Sequence, residues 1–186
     1  MDIGGTDVHF TNPCEELNYH GIINDTASIE RGKSYGYPNC HAIYDPSVLP
    51  SPLDNQIGVG DTITNGLNST RCSRVAPKLC FPAHTAPLDL KFNMNGTAAY
   101  VTFHGSWNKS PPDGFRVGKI AWDPTTGQPV DSVTSTTAAQ YIMYNLDTSN
   151  CPGKCFRPVG LAWSPKGELF VSSDTTNEIW IIRGAT

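Results

Sequence analysis

The clearest order in the chain is an alternation of apolar and polar positions over Leu88-Asp89-Leu90-Lys91-Phe92, followed by a turn at Asn95-Gly96 and a second run, Ala99-Tyr100-Val101-Thr102-Phe103. A period of two with a glycine turn between the runs predicts a β-hairpin. The phrase returns. Pro158 to Trp163, a turn at Pro165-Lys166-Gly167 and Glu168 to Ser173 repeat it, with Pro87, Phe92 and Gly96 matched by Pro158, Trp163 and Gly167. Each hairpin is followed by a third apolar run, Phe115 to Trp122 in the first copy and Glu178 to Ile182 in the second. Strand, glycine turn, strand, loop, strand is the pattern of a propeller blade, a small antiparallel sheet that buries its faces against its neighbours.

The period of roughly 70 residues exceeds that of compact blades, and the surplus falls in insertions, Asn108 to Gly114 and the polar stretch Thr125 to Gln140. Such loops collect on one face of a propeller and build sites there. The first 86 residues are less regular. Glu16 to Tyr19 and Cys40 to Tyr44 read as short strands and Pro46 to Asn65 as a long loop. The expected fold class is therefore all-β, a partial β-propeller. One domain over 1–186 is expected, with 1–86 an irregular blade, 87–157 a blade and 158–186 the last blade strands. Two four-stranded blades are anticipated. Propellers close with at least four blades, so a chain of this size is expected to be part of one, or half of an assembly through self-association or a complementary propeller half.

Composition removes several alternatives. Charged residues are 16% and the net charge is −4, which excludes a basic field for nucleic acid. No run of about 18 apolar residues occurs, so no membrane span is expected, and Gly 17 and Pro 15 break up any long helix. Six cysteines and the acceptor triplets at Asn24, Asn68, Asn95 and Asn108 point to an oxidising, secretory setting, a secreted glycoprotein with disulfides rather than a zinc site. Small loops favour Cys72 with Cys80 and Cys151 with Cys155, leaving Cys14 for Cys40; other pairings remain open. No charged and apolar leader opens the chain, so a longer secreted precursor is expected.

Four phrases then carry a resemblance: Asn12-Pro13-Cys14-Glu15-Glu16-Leu17-Asn18-Tyr19 with Tyr35-Gly36-Tyr37-Pro38; Ala83 to Leu88; Phe103-His104-Gly105-Ser106-Trp107-Asn108; and Arg157-Pro158-Val159-Gly160-Leu161. In order and spacing they resemble the pyrroloquinoline-quinone-dependent sugar dehydrogenases, most closely the fungal pyranose and sorbosone dehydrogenase branch. The resemblance implies the C-terminal half, hence the later blades, of a six-bladed propeller. It also implies a quinone fixed across a central funnel, a calcium ion polarising it, and a pyranose or related sugar as substrate. The family's general base comes from an earlier blade, so no catalytic residue is assigned and little activity is expected of this chain alone.

Within that resemblance Arg157 is the residue expected to grip the cofactor, since a guanidinium is always charged and holds a carboxylate by two parallel bonds. Trp107 offers a flat face to the quinone or else belongs to the blade core. Asn108 and Lys109 are further cofactor contacts, although a glycan on Asn108 would obstruct them. His84 and His104 stand at strand ends facing the channel, with a structural, hydrogen-bonded histidine as the alternative for each. Glu16 and Tyr35 match positions of a structural calcium site, through a carboxylate and a carbonyl oxygen. The alternative function is a non-catalytic propeller fragment that binds carbohydrate or protein.

Overall fold

The computed structural model describes residues 1–22, 24–66, 68–72 and 74–185. The chain divides into two compact units, Met1–Ala83 with Asp131–Thr136, and His84–Val130 with Thr137–Thr186. No α-helix occurs among the described residues, and none of their helical turns is long and apolar enough to cross a membrane.

The first unit is built from short strand pairs: β1 (Asp2–Ile3) with β2 (Thr6–Asp7), β3 (Glu15–Leu17) with β6 (Leu79–Phe81), and β4 (Cys40–Ala42) with β5 (Thr62–Thr64). The expected loop 46–65 contains β5 and two 3₁₀ turns, Pro46–Val48 and Leu53–Asn55. Strands this short bury little on their own, and a core of Ile3, Val8, Ile43, Leu49, Ile57 and Ile63 supplies what they lack. Asn12 is wholly buried; its Oδ1 accepts from the Tyr44 and Asp45 amides at 2.8 and 3.0 Å, and its Nδ2 donates to the Asp45 carbonyl at 3.0 Å. The first phrase of the resemblance is thus partly a structural plug that satisfies irregular backbone.

Two expected disulfides are corrected here. Cys14 pairs with Cys80 and Cys40 with Cys72, while Cys151–Cys155 forms as expected. The cause is strand pairing. Cys14 enters β3, which lies on β6 with Glu16 opposite Cys80. Cys40 lies on β4, and its partner β5 receives the Cys72 amide on the Thr62 carbonyl at 2.8 Å. Sheet neighbours decided what loop length alone did not.

The second unit holds the repeat. β7 (Pro87–Phe92), β8 (Ala98–Phe103), β9 (Arg116–Asp123) and β11 (Ala139–Tyr144) form an antiparallel four-stranded blade, with β10 (Gln128–Pro129) a short arm on β9. β12 (Pro158–Trp163), β13 (Leu169–Ser173) and β14 (Glu178–Ile182) form a second blade, which has three strands among the described residues rather than the four anticipated. Both hairpins carry the same irregularity: the register shifts between Pro87 and Leu90 and again between Pro158 and Leu161. In each, a hydroxyl on the second strand covers the freed amide, Thr102 Oγ1 accepting from Asp89 and Ser172 Oγ from Gly160, both at 3.0 Å. Gly96 and Gly167 close the turns at φ 65° and 79°, in the left-handed region that glycine enters without penalty.

The two blades pack face to face within this unit. Tyr100, Val117, Ile142 and Met143 from the first meet Leu161, Leu169, Val171 and Trp163 from the second, with Tyr100 and Trp163 edge to face at 5.3 Å. Polar ties cross the same seam: Asp89 Oδ2 accepts from the Leu161 amide and Thr102 Oγ1 donates to the Val159 carbonyl, each at 2.8 Å. Antiparallel order brings the start of β7, the end of β8, the start of β9 and the end of β11 to one end of the blade. The start of β12 and the end of β13 lie at the corresponding end of its neighbour. That end carries the candidate site.

Candidate functional site

Arg157 immediately precedes β12, with its amide fixed on Ser173 Oγ at 3.0 Å. Its side chain crosses to the end of β8, where Nε donates to the His104 carbonyl at 3.3 Å and Nη2 approaches the His104 Nδ1 at 3.1 Å and the Gly105 carbonyl at 3.4 Å. The guanidinium lies 5.9 Å from the centre of the Phe115 ring, a wall packed on the Cys151–Cys155 disulfide. No carboxylate lies within ion-pair distance of Arg157 among the described residues. A fixed guanidinium whose Nη1 is not spent on a protein acid is suited to an anionic ligand.

His104 is held from both sides. Its Nε2 lies 2.9 Å from Asp174 Oδ2, beyond the end of β13. A guanidinium only donates, so the Nδ1 facing Arg157 is the acceptor, and Nε2 carries the hydrogen given to Asp174. Both ring nitrogens are therefore committed, and His104 orients Arg157 rather than standing free to take a proton. Burial pushes the Asp174 carboxyl up, but the hydrogen bonds from His104 and Thr175, with the Arg157 charge beyond, outweigh it and hold the group below its ordinary range. Asp174 was not singled out from the sequence. It stands 70 residues from His104, and only the packing of two blades joins them; its position just after a blade strand was the one signal.

The loop after His104 is tightly built. Gly105 has φ 96°, and a side-chain carbon there would lie 2.3 Å from the Phe115 ring, so this glycine is required by close packing. The His104 and Gly105 amides donate to the Ala86 and Thr85 carbonyls at 2.9 and 3.0 Å, which sets the His84 segment against the same loop. His84 has φ 67°, a strained conformation for a residue with a side chain. His104 stands at a strand end, directly after β8. Trp107 is 79% exposed and so is not blade core; Asn108 beside it is exposed as well. Lys109 is partly buried, with Nζ 3.3 Å from Asp113 Oδ2. Asp113 also accepts from Arg116 Nη1 at 2.9 Å, so the lysine charge is compensated in a way that the Arg157 charge is not.

Glu16 and Tyr35 lie in the first unit. Glu16 Oε2 accepts from Asn18 Nδ2 at 2.9 Å, and the Tyr35 hydroxyl donates to the Tyr19 carbonyl. No group of three His, Cys, Asp or Glu side chains able to hold a metal ion occurs among the described residues.

A family model described as TrAA12-like matches residues 1–185. The chain belongs to this family. It is 42% identical over 184 residues to a pyrroloquinoline quinone-dependent sugar dehydrogenase of Hypocrea jecorina (strain QM6a), a match that covers 96% of this chain and 40% of that protein. It is 36% identical over 197 residues to a pyrroloquinoline quinone-dependent pyranose dehydrogenase of Coprinopsis cinerea, covering 95% of this chain and 26% of the other. Among solved structures it is similar to the calcium structure of a Trichoderma reesei carbohydrate-active enzyme of family AA12 (TM-score 0.87, 42% identity, 97% of this chain and 45% of that one). It is also similar to the holo form of the pyranose dehydrogenase quinone domain from Coprinopsis cinerea (TM-score 0.81, 36% identity, 94% and 45%). The chain spans less than half the length of each of these relatives. Its blades are those of a partial β-propeller, as the repeat predicted.

Proposed function

We propose that this chain carries the later blades of a secreted, glycosylated quinoprotein that oxidises a pyranose or related sugar, and that Arg157 is its cofactor anchor. The observation that carries the reading is the guanidinium of Arg157, fixed on the His104 and Gly105 carbonyls and left without a protein carboxylate. The relatives named as pyrroloquinoline quinone-dependent enzymes support it. So do the acceptor asparagines Asn24, Asn68 and Asn95, all of which are exposed.

Pyrroloquinoline quinone, when bound, supplies a hydride acceptor for the sugar carbon. The residues of this chain bind and orient. Arg157 offers Nη1 to a cofactor carboxylate, and His104 with Asp174 keeps the guanidinium in its plane. Trp107, exposed two residues beyond Gly105, offers an aromatic face, while Asn108 and His84 add polar edges on the same end of the blade. Lys109 acts through its pairing with Asp113. A calcium ion at Glu16 and Tyr35 would take one carboxylate oxygen from these residues, so most of its roughly six to eight oxygens would come from carbonyls and water.

Titration of the chain with pyrroloquinoline quinone, followed by quenching of tryptophan emission and by quinone absorbance, tests the reading. Saturable binding that falls about tenfold or more in Arg157→Ala, as expected for loss of a charge-assisted pair worth about 1.5–3 kcal/mol, supports it. Binding that is unchanged in Arg157→Ala, or absent with a folded chain, rejects it in favour of a binding propeller without quinone.

A further inference from the structure

We infer that a second ligand site, for a neutral saccharide, lies at the outer edge of the four-stranded blade, in the cleft between β11 and the 112–116 segment. The cleft has a volume of about 300 Å³ and is lined by Pro112, Asp113, Arg116, Tyr141, Tyr144 and Thr148. That is the lower end of the range for small-molecule pockets, about 300 to 1,000 Å³.

Its construction begins with a bulge. The pairing of β11 with β9 shifts between Tyr141 and Met143, so Ile142 is an extra residue. Without it, Tyr141 and Tyr144 would point to opposite faces of the strand; with it, both turn outward. Ile142 and Met143 instead pack on the core. The rings are 39% and 55% exposed; Tyr141 packs edge to face on Phe103 at 6.4 Å, which leaves Tyr144 as the ring with the most open surface. The Arg116 guanidinium lies 4.0 Å from the Tyr141 ring centre and is anchored by Asp113 at 2.9 Å. One face of Tyr141 is thereby covered by a cation that is itself paired with Asp113.

The floor is equally fixed. Asn145 donates to the Phe115 and Phe156 carbonyls at 3.1 and 2.8 Å and accepts from the Phe156 amide at 3.1 Å, which ties the end of β11 to the disulfide loop. Arg116 Nε, shielded from water, has no acceptor in the protein, and a buried donor left unpaired is unfavourable. Phe115 and Arg116 are neighbours directed differently, the first at Arg157 and the second into the cleft, so the two sites sit back to back across one backbone segment.

The chemistry selects the ligand class. Flat aromatic surface suits the C–H face of a pyranose ring. The rim mixes donors, Arg116 and the tyrosine hydroxyls, with acceptors, Asp113 and Thr148, as a ring bearing several hydroxyls requires. An inorganic oxyanion would meet the Asp113 carboxylate and gain nothing from the rings.

The test uses the whole 186-residue chain, with calorimetry against a panel of neutral pyranose tetrasaccharides and with glucuronate and inorganic phosphate as anionic probes. Saturable binding of a neutral member is expected, weakened at least tenfold in Tyr144→Ala and unchanged in Arg157→Ala. Circular dichroism of Tyr144→Ala, expected to match the parent, separates lost contact from lost fold. Should that variant unfold, Thr148→Val provides the same comparison. The site is rejected if no neutral saccharide binds, if only the anionic probes bind, or if Arg157→Ala and not Tyr144→Ala abolishes binding. Quinone titration is independent of this result, so failure here leaves the cofactor reading standing, and failure there leaves this site standing.

Discussion

At the residue scale the decisive group is one that makes no contact of its own with a ligand. Asp174 is half exposed and joins the site only through His104, so its removal tests positioning separately from packing. Asp174→Ala frees Nε2, lets the imidazole exchange tautomers or turn, and removes the fixed acceptor at Nδ1 that steadies Arg157. Quinone affinity is expected to fall about fivefold to tenfold, near 1 kcal/mol, with little change in thermal midpoint. Asp174→Asn keeps an oxygen acceptor for Nε2 and is expected to restore most of the affinity. Nitrogen chemical shifts of His104 report the tautomer directly. A single Nε2–H tautomer in the parent that persists in Asp174→Ala would show that Arg157 alone sets the ring.

The same scale shows why the sequence told half of this site. Arg157 and His104 lie in phrases whose neighbours, Pro158 and Gly105, mark them as strand ends. Asp174 follows an ordinary strand with no unusual neighbour, and its meaning arises only when β13 is laid beside β8. Arg116 and Tyr141 were missed for a related reason. The bulge at Ile142 breaks the alternation that would have revealed β11, so a polar stretch followed by Tyr141-Ile142-Met143-Tyr144 carried no period to read.

At the element scale the repeat was legible because its constraints are local. The glycine turns, the alternation and the length of each hairpin are written in contiguous residues. The disulfides were not, since Cys14–Cys80 and Cys40–Cys72 depend on which short strands meet. The element that merits perturbation is the matched irregularity in β7 and β12. In the first blade the freed backbone is tied across the seam by the Asp89 carboxylate, which accepts from the Leu161 and Leu90 amides and from Lys91 Nζ. Burial pushes Asp89 up, yet these donors hold it below its ordinary value of 3.8. Asp89→Ala would leave the Leu161 amide unsatisfied at the blade interface and is expected to cost about 2–3 kcal/mol at neutral pH. The sign of the pH effect follows from the lowered value. A depressed carboxyl contributes its stability above pH 3.8, its ordinary value, and loses it as pH falls through the folded value below that. Urea midpoints measured from pH 7 down to the acid limit should therefore show a shallower acid-side fall in Asp89→Ala than in the parent. Parallel curves would assign the acid loss elsewhere.

At the scale of the whole molecule the second blade presents a problem that its own residues do not solve. Leu161, Leu169 and Val171 face the first blade, whereas Ala162, Phe170, Ile179 and Ile181 face outward. Ile179 is 71% exposed, and β14 has no partner on its outer edge among the described residues. An apolar strand with a free edge is a template for pairing, and blades normally cover such faces with a neighbour. In the isolated chain the available neighbour is a second copy, so concentration-dependent self-association is expected by light scattering. Ile179→Lys with Ile181→Lys should shift it to monomer without loss of folded signal, since both side chains point away from the core. Sugar oxidation by the chain with added quinone and calcium is expected to be negligible. His104, the histidine oriented beside Arg157, is committed at both nitrogens, and losing a general base typically removes about 10² to 10⁴ in rate. A monomer that turned over sugar at an ordinary enzymatic rate would overturn both halves of this expectation, and would require a base outside the His104, Arg157 and Asp174 cluster.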